Sequence, residues 1–129
     1  MSVALQAAAV GGGAALGALA RWGTSLWLNP LWRAGFPLGT LAVNCVGGLA
    51  IGVAYAWLEQ RPHEMWRLFA VTGFLGGLTT FSAFSGESLL LLQRREWALA
   101  LAHSAAHVVG ALACTALGFA LLNALLRDG

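Results

Sequence analysis

Lysine is missing from this chain altogether, and only 9% of its 129 residues are charged. Soluble domains average about 25%. A surface this poor in charge does not stay in water, so lipid is the expected solvent. The formal net charge of +2 is too weak to imply nucleic acid. No phosphate-binding loop, dinucleotide fingerprint or serine-elbow sequence is present. There are only two cysteines, Cys45 and Cys114, both within apolar stretches. They read as small buried hydrophobes and say little about redox compartment.

What the chain does have is apolar length: 59% of its residues are hydrophobic. Four stretches, about 3–28, 36–58, 67–92 and 97–126, each reach the roughly 20 residues that cross a bilayer as a helix. Almost nothing is left over for a soluble domain. The expectation is an all-α membrane protein, a single transmembrane domain over 1–129 with four spans and short loops. Residues 3–20 also resemble a secretory signal, with "ALA" at 18–20 as a cleavage site. Yet no Lys or Arg precedes that run, and apolar character resumes after Arg21 with Trp22, so it is read as a span. Tryptophans bracket the expected loops: Trp27 and Trp32 the first, Trp57 and Trp66 the second, with Trp97 opening the fourth span and Trp22 a little deeper. Such rings collect at the headgroup level.

With no lysine, orientation rests on arginine alone. Arg61, Arg67 and Arg127 fall on the side of the termini, and Arg33, Arg94 and Arg95 on the other, which Arg21 would join. The positive-inside bias is therefore nearly absent. Either this is chance in a chain with few charges, or copies insert both ways up. In the second case opposite copies can pair as an antiparallel homodimer about a two-fold axis in the membrane plane. Small residues recur at four-residue spacing: Gly13 and Gly17, Gly48 and Gly52, Gly73 and Gly77, then Gly110, Cys114 and Gly118. In lipid, helices approach closely at such positions.

The stretch "GFLGGLTTFSAFSGE", 73–87, places Gly76, Gly77, Thr79 and Thr80 near the middle of the third span. Glycine is a poor helix former and threonine is stiff at χ1. Together they favour a helix break. Backbone groups freed in lipid cost several kcal/mol each unless protein, water or an ion satisfies them. Unwound carbonyls coordinate cations in some transporters. In an antiparallel pair two breaks would meet on the axis, where their carbonyls suit one cation. The bland alternative is a kinked helix whose hydroxyls bond back to the preceding turn. Beyond the break, Phe81 and Phe84 share a face, as do Ser82 and Ser85. Phenyl rings have a positive edge, and ring edges with hydroxyl donors suit a small dehydrated anion.

Other polar residues fall inside spans. Arg21 is either an anchor that snorkels to water or a vestibule that attracts anions. Asn44 offers an amide donor or helix-to-helix glue. Glu87 is the only acid within a span and is placed to pair with Arg21. His103 and His107, four apart on the fourth span, have a spacing that can bind metal. No partnering carboxylate or thiolate lies nearby except Cys114, and no H-E-x-x-H pattern occurs. A polar stripe along an internal passage is the favoured reading.

Three stretches resemble the Fluc (CrcB) family of fluoride channels. They are "GGGAALGALAR" at 11–21, "GTLAVNCVGG" at 39–48 and the 73–87 stretch, in the family's order. The resemblance implies a dual-topology homodimer in the inner (plasma) membrane of a prokaryote. It implies passive fluoride export through two pores, with a structural sodium ion, Na+, at the dimer centre. Gly76 and Thr79 would supply backbone carbonyls to that ion. Phe81 and Phe84 would line the fluoride path, with Asn44 as a pore-side donor, Arg21 at a vestibule, and Thr80, Ser82 and Ser85 as the motif's polar positions. His103 and His107 depart from the family's neutral hydrogen-bonding residues; they would donate to fluoride, or titrate and make conduction depend on pH. Thr115 would continue that track. The competing readings are a small multidrug/proton exchanger, which needs an embedded carboxylate that only Glu87 offers, and a non-transporting scaffold. A membrane enzyme has no catalytic constellation to support it.

Overall fold

The computed structural model describes residues 1–31 and 36–129. Trp32 and Arg33, expected at the first loop, lie outside the described residues. Helix α1 (Val3–Leu28) begins at Ser2, whose Oγ accepts the Leu5 N–H at 3.2 Å and so satisfies one of the free donors of the first turn. A short 3-10 turn, Asn29–Leu31, follows. Asn29 Oδ1 then accepts the Gly39 N–H at 2.7 Å, which ties the end of α1 to the start of α2 (Leu38–Gln60).

The third apolar segment is built in pieces. Helix α3 (Glu64–Trp66) leads into a nine-residue π-helical stretch, Arg67–Leu75, and then into α4 (Gly76–Leu78). Thr79 and Thr80 are extended, and α5 (Phe81–Gln93) resumes the helix. A turn with Arg95 in the left-handed region (φ 59°) lets the Glu96 N–H reach the Leu91 carbonyl at 3.0 Å. This tight turn lays α6 (Trp97–Arg127) back against α5.

Four helical segments are long and apolar enough to cross a membrane: Val3–Leu31, Leu38–Gln60, Glu64–Gln93 and Trp97–Arg127. They match the four expected stretches to within a few residues. Large apolar side chains such as Leu19, Leu101, Leu112 and Leu125 are exposed. A hydrocarbon solvent would accept this outer surface and water would not.

Helix pairs come together where the glycine spacing anticipates. A Cβ at Gly52 would lie 2.0 Å from the Thr115 carbonyl oxygen, and one at Gly17 would lie 2.1 Å from that of Phe74. Hence α2 packs on α6, and α1 on the π-helical stretch, at backbone contact. Gly52→Leu is expected to destabilise the fold by about 1–3 kcal/mol, the usual cost of overpacking. Gly12→Leu, in open space, should cost little. Thermal unfolding in detergent compares the two, and equal melting points would contradict this packing account.

Candidate functional site

The interruption at Thr79 and Thr80 rearranges the backbone bonds around it. In a continuous helix the N–H of Thr80 would bond to the Gly76 carbonyl, and that of Ala83 to the Thr79 carbonyl. Instead the Thr80 N–H donates to Asn44 Oδ1 at 2.8 Å, and the Ala83 N–H to Thr80 Oγ1 at 3.1 Å. Asn44 Nδ2 donates back to the Thr80 carbonyl at 3.1 Å. Thus one amide on α2 takes both backbone groups of Thr80. Gly77's carbonyl accepts Arg21 Nε at 3.1 Å. The Leu75 carbonyl takes both the Thr79 N–H at 3.0 Å and its hydroxyl at 2.8 Å. Among these bonds none reaches the Gly76 or Thr79 carbonyl.

Beside the break lies a cavity of about 410 Å³, lined in part by Asn44, Gly76, Thr80, Phe81, Phe84 and His107. Phe81 and Phe84 pack on each other with centroids 5.4 Å apart, as their spacing predicts. Phe81 itself is 77% exposed. The Thr80 and Ser82 hydroxyls are 3.2 Å apart. Ser82 and Ser85 are both exposed on the surface of the single chain.

Deeper in, Phe84 meets both histidines, His103 at 5.3 Å and His107 at 4.7 Å between ring centroids. Phe36 packs edge-on against His103 at 5.3 Å. Both histidines are buried, His103 completely. Because the Thr80 N–H fixes which end of Asn44 is the oxygen, Asn44 Nδ2 is the donor in its 3.0 Å contact with His107 Nδ1. A neutral His107 therefore carries its proton on Nε2.

Two expectations are corrected here. Glu87 does not pair with Arg21. Its Oε1 accepts the Thr40 hydroxyl, and its Oε2 lies 3.5 Å from His103 Nε2, while Arg21 turns to Gly77 at the break. Each charge is therefore committed to a different partner. The second correction concerns the histidines, which do have a carboxylate neighbour. The turn at Arg95 folds α5 against α6 and brings Glu87 alongside them. The Thr115 hydroxyl donates back to the Ala111 carbonyl at 3.0 Å.

Thr40 is the residue the sequence reading missed. A signal was available, because Thr40 and Asn44 are four apart on α2 and so share its polar face. The π-helical stretch had no comparable signal.

Four apolar helical segments, with a polar site gathered around an interruption in the third, define a multi-pass helical membrane protein. Residues 8–119 match the family described as "CrcB-like protein, Camphor Resistance (CrcB)". The chain belongs to that family. It is 51% identical over 127 residues to a protein of Chromohalobacter salexigens named fluoride-specific ion channel FluC, covering 97% of this chain and 96% of the relative. Proteins of the same name from Bordetella petrii, 53% identical over 125 residues, and Aromatoleum aromaticum, 49% over 118, cover 95% and 90% of this chain. Those alignments take in 95% and 89% of the two relatives.

Proposed function

We propose that this protein is a fluoride channel that lets cytoplasmic fluoride leave passively across the inner membrane of a prokaryote. The observation that carries the reading is the Asn44 clamp on Thr80, set beside the Phe81–Phe84 pair in a chain about half identical to proteins named fluoride-specific channels. Fluoride binds water strongly, so a pore must replace that shell with fixed donors and still release the ion. Here the donors are the Thr80 and Ser82 hydroxyls and the His107 Nε2–H, with phenyl edges between them, while Asn44, whose two N–H groups go to Thr80 and His107, holds these donors in place. His103 lies further along the same aromatic stack. Arg21, held at the level of the break, adds positive potential.

The working unit in this reading is an antiparallel homodimer. The exposed Phe81 ring and the open space at Gly76 suit burial by a second copy. The Gly76 and Thr79 carbonyls, bypassed by the rearranged bonds, suit a hard cation shared between two breaks. A structural Na+ fits that oxygen-only donor set.

Efflux from proteoliposomes, followed with a fluoride electrode, tests the proposal with chloride as control. Fluoride should leave far faster than chloride. Phe81→Ile, which keeps bulk but removes the ring edge, should slow fluoride efflux at least about tenfold, a loss of roughly 1.4 kcal/mol in the barrier. Fluoride release equal to that of protein-free vesicles would overturn the reading. Unchanged efflux in Phe81→Ile would remove that ring from the path.

A further inference from the structure

Four buried polar atoms in one place lack a well-formed hydrogen bond: Glu87 Oε2, both ring nitrogens of His103, and His107 Nε2, with Glu87 Oε2 and His103 Nε2 facing each other at 3.5 Å. His103 is 0% exposed and His107 5%. Buried polar groups are normally satisfied, so such a cluster is short of a ligand. One ligand atom from each of Glu87, His103 and His107 lies within 4.8 Å of the other two. We propose that these three side chains form a binding site for a divalent transition-metal cation of the zinc type. This site is distinct from the Gly76 and Thr79 carbonyls at the break, but it shares His103 and His107 with the proposed fluoride path, so a bound cation would take those groups out of that path.

The chemistry of the donors selects the ion. Two imidazole nitrogens and one carboxylate suit zinc, cobalt or nickel, whereas sodium, magnesium and calcium prefer oxygen alone. Zinc with bonds of 2.0–2.1 Å sets neighbouring tetrahedral ligands about 3.4 Å apart. Glu87 Oε2 and His103 Nε2 already stand 3.5 Å apart. The widest gap, at most 4.8 Å, has to close by up to about 1.4 Å, within the reach of side-chain rotation about the i, i+4 pair on α6. Glu87 is also held from behind, since Thr40 donates to its other oxygen. Such an outer contact orients a ligating carboxylate. Arg21, the cation in the neighbouring α1, is committed to Gly77 and does not compete for the carboxylate.

His107 must change its tautomer to bind through Nε2. Its single proton moves from Nε2 to Nδ1, so no proton is released. The hydrogen bond from Asn44 is then lost. That loss tempers affinity but leaves three ligands in place. Access is short: His103 lies six residues into α6, about 9 Å from its start.

The test uses untagged full-length protein in detergent with His63 replaced by alanine, which removes the one histidine outside the cluster. Cobalt(II) titration should give a saturable visible ligand-field absorption at one ion per chain, and zinc should displace it. Glu87→Gln keeps a partner for Thr40 but removes the charge, and should weaken cobalt binding at least about tenfold. His103→Ala or His107→Ala should abolish the absorption. Absence of saturable absorption in the His63→Ala protein would overturn the proposal without any change to the cluster. Undiminished binding in Glu87→Gln and both histidine variants would also overturn it. Since this readout is spectroscopic, it stands or falls separately from the fluoride efflux assay.

Discussion

Replacing Asn44 with alanine is expected to abolish fluoride efflux and to lower stability more than other polar substitutions in the spans. Asn44 satisfies the N–H and the C=O of Thr80 together, at 2.8 and 3.1 Å. Removing it strands two backbone groups and also leaves His107 Nδ1 unpaired. Each stranded group costs about 1–3 kcal/mol. The extended conformation of Thr79 and Thr80 then has no support, so the Phe81 and Phe84 rings that follow lose their positions. Thermal unfolding in detergent should show a clearly lowered midpoint, and the fluoride electrode should register only the vesicle leak. Thr24→Ala provides a comparison, because its hydroxyl only bonds back to the Ala20 carbonyl at 2.8 Å and leaves no group orphaned when removed. Similar melting points for the two variants would show that water or another group supports Thr80.

Asn44 also shows what can be read from a sequence of this kind and what cannot. Its position in a span marks it as costly and therefore purposeful. The Gly-Gly-Leu-Thr-Thr run marks where the third span would need help. Joining the two requires the register of α2 against the third segment, which is set by Gly47 meeting the Thr79 side chain. Local pattern carries no record of that contact. The same limit explains Glu87. Read along the chain, its nearest cation at matching depth is Arg21. In three dimensions the left-handed turn at Arg95 decides the outcome by folding α5 against α6. Span lengths, the Phe pair and the small-residue stripes were legible because each follows from one helix's periodicity or from bilayer thickness. Contacts between helices far apart in the sequence were not.

Gly76→Leu should separate the fold of one chain from the assembly of two. Within the single chain a Cβ at Gly76 meets only the Val71 carbonyl oxygen, at 3.8 Å, and the backbone there is ordinary right-handed helix (φ −63°). A Cβ is therefore accommodated at this position, and leucine is the better helix former by roughly 0.6–0.8 kcal/mol. On intrachain grounds alone the substitution is neutral or slightly stabilising. In the proposed antiparallel dimer the same surface carries the break, the Gly76 carbonyl and the exposed Phe81 to the two-fold axis. Two leucines would meet there and hold the breaks apart. The expected result is a chain that keeps its helix content but elutes as a monomer in mild detergent and gives no fluoride efflux. Sodium should no longer raise its melting temperature, as a cation held only between two copies would for the unmodified protein. If Gly76→Leu remains dimeric and conducts normally, the break does not face a second copy and the two-fold arrangement must be abandoned.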